Sequence, residues 1–196
     1  MAELPLITLT PGRKTFRLVE CTRTDERNAA QVCNCLEKVA NTRVWVGNRT
    51  PGRGEEIAVN SQEIANKGHD IGILHLARAV KQPQNIVRYG SGPALIKTGV
   101  NVAIRGWGAE TKDGDSPSPS LKVCSLKVVT SAEDLMDLTG LNGFTGYGDS
   151  GAGVWDGSVV QGIVSYGDQT SGTVAVPTSL VADWILSVTG FLGIPS

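Results

Sequence analysis

Histidine is scarce in this chain: two in 196 residues, His69 and His75. There are four cysteines, Cys21, Cys33, Cys35 and Cys124, and no two of them form a C-x-x-C pair. Together these shortages leave no spacing suited to a bound metal, and no cofactor motif stands in their place. Aromatic residues make up 5%, so any core is built mainly from aliphatic side chains. Charge of one sign is also lacking: 18 basic against 19 acidic residues give a net charge of −1. That balance argues against nucleic acid or an anionic membrane as partner. No apolar run approaches the roughly 20 residues of a membrane span. The opening Met-Ala-Glu-Leu-Pro-Leu-Ile-Thr-Leu lacks the basic region and the apolar stretch of about 7–15 residues that mark a secretory signal. The chain therefore reads as cytosolic as written, or as beginning after its targeting segment.

What is present is turn-forming residues, 24 glycines and 9 prolines. They favour an all-β chain of short strands, as one compact domain or two small barrels. The densest glycine cluster is Gly146-Tyr147-Gly148-Asp149-Ser150-Gly151-Ala152-Gly153. A serine on such a turn can sit exposed among backbone N–H groups, the geometry of an oxyanion hole. Apolar runs follow, Gly153-Val154-Trp155 and Val159-Val160-Gln161-Gly162-Ile163-Val164. Asp156-Gly157 between them reads as a hairpin turn.

Further runs read as strands: Arg43-Val44-Trp45-Val46, Glu56-Ile57-Ala58-Val59, and 100–107 and 121–130, while in the less readable opening Leu6-Ile7-Thr8-Leu9 and Phe16-Arg17-Leu18-Val19 are alike candidates for short strands around Pro11-Gly12. Ser131 with Asp134 three residues on predicts a short capped helix over 131–138. Leu180, Val181, Trp184, Ile185 and Val188 recur at helical spacing and predict a closing amphipathic helix. Asn48-Arg49-Thr50 fits a glycosylation sequon, a triplet common by chance. Cys33 and Cys35 are too close to bridge each other comfortably, and three pairings of the four cysteines stay formally open.

The run Gly148-Asp149-Ser150-Gly151-Ala152-Gly153-Val154-Trp155, with its hairpin ending Val164-Ser165-Tyr166-Gly167, resembles the nucleophile region of trypsin/chymotrypsin-like serine peptidases. Ala152-Gly153 stands where the family has Gly-Pro, and Tyr166 where it has tryptophan. His69-Asp70-Ile71-Gly72-Ile73-Leu74-His75-Leu76 is similar to the family's triad-aspartate strand, and Arg105-Gly106-Trp107-Gly108 to its Gly-Trp-Gly segment. Val174-Ala175-Val176-Pro177 and Ala182-Asp183-Trp184-Ile185 are similar to its closing strand and helix. These landmarks keep the family's order over about residues 42–190. The resemblance implies a lean, bacterial-type member: two packed antiparallel Greek-key β-barrels and a C-terminal helix, the first barrel missing or distorting its opening strands. Residues 1–41 would be a degenerate start of barrel 1, 42–90 its remainder, 91–178 barrel 2, and 179–196 the helix and tail.

The resemblance also implies roles. Ser150 is the nucleophile, Asp70 orients an imidazole, and the Gly148 and Ser150 N–H groups form the oxyanion hole. Phe144, six residues before Ser150, lies at the base of the specificity pocket, with Ser165, Tyr166 and Gly167 as one wall and Gly172 near the other. Phe144 cannot serve the trypsin-type preference for basic side chains, so a narrow or filled apolar pocket is expected. In the family Asp149 pairs with a freshly cut N-terminal amine. No Ile-Val-Gly-Gly-like start exists here, so a local role shaping the turn is expected instead.

The base is the gap. Family spacing puts it about 45 residues before the aspartate, near residue 25, where there is no histidine and no apolar strand ahead of it. Ala29-Ala30-Gln31-Val32-Cys33 is a distant echo of the family's Ala-Ala-His-Cys, with Gln31 in the base position. His69 and His75 sit at odd offsets from Asp70 and should face the other side of the strand. Three readings follow: a serine endopeptidase impaired for want of its base, a pseudo-peptidase acting as a protein-binding module, and an unrelated all-β binding domain. The first two imply a polypeptide substrate or protein ligand and a monomer, secreted as the family usually is. A cysteine nucleophile at Cys33 or Cys35 has no partner motif.

Overall fold

The computed structural model describes residues 16–19 (strand placement only), 42–65, 69–81, 87–92, 96–111, 116–131 and 135–195. Leu6 to Leu9, Cys21, Gln31, Cys33 and Cys35 fall outside them, as does the middle of the 131–138 segment.

Eleven strands and one helix are described. The first sheet holds β1 (Phe16–Val19), β2 (Arg43–Val46), β3 (Glu55–Ile64) and β4 (Gly72–Leu76), in the order β1-β4-β3-β2, all antiparallel. β1 corrects the expectation that no apolar strand stands ahead of the histidine position. It is the short strand candidate at Phe16–Val19, and pairing along β4 fixes it. Val19 lies opposite Gly72, two residues from Asp70. Between β2 and β4 the alternation is plain: Val44, Val46, Ile57, Val59, Leu74 and Leu76 face one small core.

The second sheet closes on itself. β6 (Asn101–Gly106), β7 (Lys122–Ser131), β8 (Met136–Gly140), β11 (Gly172–Pro177), β10 (Val159–Gly167) and β9 (Gly153–Asp156) form a six-strand ring, since β11 pairs with both β8 and β10 and β9 with β6. β5 (Arg88–Tyr89) runs parallel along the outer part of β10. This is the expected all-β chymotrypsin-like architecture, with the first sheet four-stranded among the described residues. The barrel interior is Val102, Ile104, Leu126, Val128, Met136, Leu138, Val154 and Val164.

The helix expected over 131–138 is not formed. β7 runs to Ser131 and β8 begins at Met136. Met136 and Leu138 are buried while Asp137 between them is exposed, a period of two that serves a sheet face and outweighs the Ser-x-x-Asp capping pattern. The C-terminal helix is formed, as a 3₁₀ turn (Thr178–Val181) leading into α1 (Ala182–Thr189) that ends on left-handed Gly190.

A third core joins the halves. Ala65, Ile71 and Ile73 from the first sheet and its approach meet Trp155, Val160, Ile163 and Val176 of the barrel, and Val181 and Ile185 from the C-terminal segment seal them. Ile185 is 0% exposed. Ile185→Ala should therefore cost about 2–5 kcal/mol through lost burial and the cavity left behind. Urea unfolding should show a lower midpoint at unchanged slope; an unmoved midpoint would mean that the helix does not seal this core.

Candidate active site

Ser150 sits on a tight turn between the loop at 141–149 and β9. Gly148 at φ +93° and Gly151 at φ +80° bracket it, a conformation that L side chains rarely adopt. The Gly151 N–H donates to the Val164 carbonyl at 2.8 Å and the Ala152 N–H to that of Asp149 at 2.9 Å, which ties the turn to β10. Gly148 and Ser150 donate their N–H groups to no partner among the described residues.

Asp70 precedes β4, at the face where the two sheets meet. Its carboxylate accepts a hydrogen bond from the Ser165 hydroxyl at 2.6 Å, and the Ser165 carbonyl accepts one from the Ser150 hydroxyl at 3.2 Å. One buried β10 residue therefore gathers Ser150 and Asp70, which are 80 positions apart in sequence. Pocket spacing pointed to Ser165 as a wall; its hydroxyl contact with Asp70 has no local sequence signal.

The two histidines lie elsewhere. His75, on β4, brings Nε2 to 3.1 Å from Glu63 Oε1 on neighbouring β3. His69 is partly buried, and its carbonyl accepts from the Ile71 N–H at 3.0 Å. No hydrogen bond among the described residues joins either imidazole to Ser150 or Asp70.

Asp149 shapes the turn from within. Its carboxylate accepts the Gly108 N–H at 2.8 Å and the Gly146 N–H at 2.9 Å. A Cβ on Gly106 or Gly108 would collide with that carboxylate, so the Gly-Trp-Gly landmark is a cradle for Asp149. Trp107 between them donates Nε1–H to the Arg49 carbonyl at 2.9 Å, bonding the barrel to the β2–β3 turn. Burial pushes the Asp149 carboxyl above its ordinary value of 3.8 in spite of the two N–H donors. Cys124 is the described cysteine and is free; burial, then the Asp149 charge, push its thiol up to about 11, so it is no nucleophile at neutral pH.

Ser165, Tyr166 and Gly167 end β10, and the Ser165 carbonyl accepts the Ser150 hydroxyl. Thr145 and Thr173 are both buried, with hydroxyl oxygens 2.7 Å apart. Gly167 pairs with Thr173 across the β10–β11 hairpin, next to Gly172, while Phe144 is partly buried in the loop before Ser150. Tyr166 is 58% exposed and Tyr147 60% exposed. Among the described residues no His, Cys, Asp and Glu cluster is arranged to hold a metal, and no helix is long and apolar enough to cross a membrane.

The family model for trypsin matches residues 25–185. The chain belongs to the trypsin family. Solved structures share its fold. The inactivated protease paralogue S-D1 of the scabies mite superposes with a TM-score of 0.75 at 12% identity, over 100% of this chain and 88% of that one. Neuropsin, a serine protease expressed in the limbic system of mouse brain, gives 0.68 at 17% identity over 94% and 86%. Human heparin binding protein gives 0.66 at 18% identity over 77% and 76%. No curated protein matches the sequence.

The Asp149 carboxyl carries a pH signature. Its folded-state affinity for a proton exceeds that of the unfolded chain, so its contribution to stability is present at low pH and is lost as pH rises through the folded value. A ¹³C titration of the Asp149 carboxyl should give a midpoint above 3.8. A midpoint below it would mean that the two N–H bonds outweigh burial.

Proposed function

We propose that this chain is a serine endopeptidase domain of the chymotrypsin type whose hydrolytic activity is impaired because it supplies no imidazole base to Ser150. One observation carries the reading. The whole sequence holds two histidines, and Ser150 donates its hydroxyl to the Ser165 carbonyl instead of to either ring. A serine hydroxyl is a weak nucleophile at neutral pH without an adjacent base. Removing the base from a triad costs on the order of 10⁶-fold in turnover.

The remaining parts have roles that need no histidine. The Gly148 and Ser150 N–H groups donate to a carbonyl or carboxylate oxygen of a bound polypeptide. Asp70, braced by Ser165, is the acid that would orient an imidazole. Gln31 takes the position of the lost base. Phe144, Ser165, Tyr166, Gly167 and Gly172 line the space beside Ser150. The partner is a polypeptide, bound by a monomer, and the domain works in the secreted setting usual for its family. The second reading, a pseudo-peptidase that binds protein without cutting it, is favoured by the same absent base. The two differ in whether the site regains activity when an imidazole is supplied.

Labelling by an active-site serine phosphonate separates them. The native chain should label at background. A variant with a family-type Ala-Ala-His-Cys segment grafted over residues 20–33 should label at least about 10³-fold faster, and Ser150→Ala should abolish that gain. Rapid Ser150-dependent labelling of the native chain would sink the impaired-enzyme reading. A silent graft would favour the binding module.

A further inference from the structure

Next to the β10 residue that binds Ser150, the serine loop, β10 and β11 touch one another. The Thr145 and Thr173 hydroxyls meet at 2.7 Å, both side chains buried, bridging the serine loop to β11. A Cβ placed on Gly167 would stand 2.7 Å from Thr145 Oγ1 and 2.8 Å from the Gly172 carbonyl oxygen. A carbon atom needs about 3.5–4.0 Å to each neighbour, so a methyl group on Gly167 does not fit against Thr145, and the Gly167 backbone lies in contact with that side chain.

The hairpin behind this pinch is fixed as well. Residues 168–171 form the whole turn between β10 and β11. Asp168 Oδ1 accepts the N–H groups of Thr170, Ser171 and Gly172 at 2.7, 2.7 and 2.9 Å, and the Asp168 N–H donates to the Gly172 carbonyl at 3.0 Å. A turn held by four such bonds does not widen to admit a guest cheaply.

We propose that Thr145 is the specificity-determining residue of this site, and that with Thr173 and Gly167 it restricts the bound polypeptide to glycine at the position whose carbonyl meets the Gly148 and Ser150 N–H groups. This rests on the reading of Ser150 as a polypeptide site. A glycine there needs no side-chain space, and the backbone oxygen still reaches both donors. Larger side chains require Thr145 to break its bond to Thr173 and leave a buried hydroxyl without its partner.

The test uses the native chain and no turnover. Binding of acetyl-Ala-Ala-Pro peptides ending in glycine, alanine, phenylalanine or arginine, with free carboxylates, is measured by titration calorimetry. The glycine-ended peptide should bind at least tenfold more tightly than the phenylalanine- and arginine-ended ones, and Thr145→Gly should bring the alanine-ended peptide within threefold of the glycine-ended one. Equal binding of the phenylalanine- or arginine-ended peptide by the native chain overturns the proposal. Absence of binding by every peptide counts against the Ser150 reading, and a second measurement then decides the closure. The Thr145 hydroxyl proton should appear by NMR as a slowly exchanging resonance with a cross-peak to the Thr173 methyl. Exchange at the rate of an exposed hydroxyl overturns the proposal whatever the peptides do.

Discussion

The hydrogen bond from the Ser165 hydroxyl to Asp70, 2.6 Å long, is the contact on which the site depends. It crosses from the closed barrel to the first sheet at the point where the shared core of Ile71, Ile73, Trp155 and Ile163 holds them together. Ser165 is buried, so its hydroxyl must find a partner or leave a donor unsatisfied in the interior. Asp70 supplies that partner, and the Ser165 carbonyl accepts the Ser150 hydroxyl in turn. The alignment of the two sheets and the alignment of the site residues are therefore set by the same few atoms.

Around that contact the serine turn is supported by backbone donors more than by side chains. Asp149 draws in the N–H groups of Gly108 and Gly146, which fastens the exit of β6 to the loop before Ser150. The arrangement tolerates a carboxylate without a cation among the described residues because two oriented dipoles stand in for one, although they do not fully offset its burial. On the other flank the Asp168 turn does the same for the β10–β11 hairpin, and there the carboxylate is exposed. With no burial to oppose them, three N–H donors hold Asp168 well below the usual carboxylate range. Two aspartates with similar hydrogen bonding titrate in opposite directions because only one of them has lost water.

Much of the fold was legible in sequence wherever one physical signal dominated. The period-two burial of β2 and β6, the Asp156-Gly157 hairpin and the 3.6-residue recurrence through Ile185 each depend on local pattern, and each appears in the structure. The segment 131–138 was misread because a short polar capping pattern competes there with Met136 and Leu138, whose placement in the barrel core is decided by strands distant in sequence. Family spacing singled out Ser150 and Asp70, but not that Ser165 gathers them. Nor did it point to Thr145 as the partner of Thr173. Both are side-chain contacts made across 95 and 28 positions respectively, between a loop residue and a strand of the barrel, and no local pattern encodes them.

The intact Gly-Asp-Ser-Gly turn has a further consequence for how such a chain changes. Gly148 and Gly151 are needed for the backbone path, Asp149 for the bond to β6, and the N–H of Gly151 for the bond to β10. Each would be required by the fold even if no peptide bond were ever cut. No imidazole takes part in these bonds among the described residues, so the path of the turn does not depend on one. The persistence of that turn reports on the barrel, and only the base reports on catalysis.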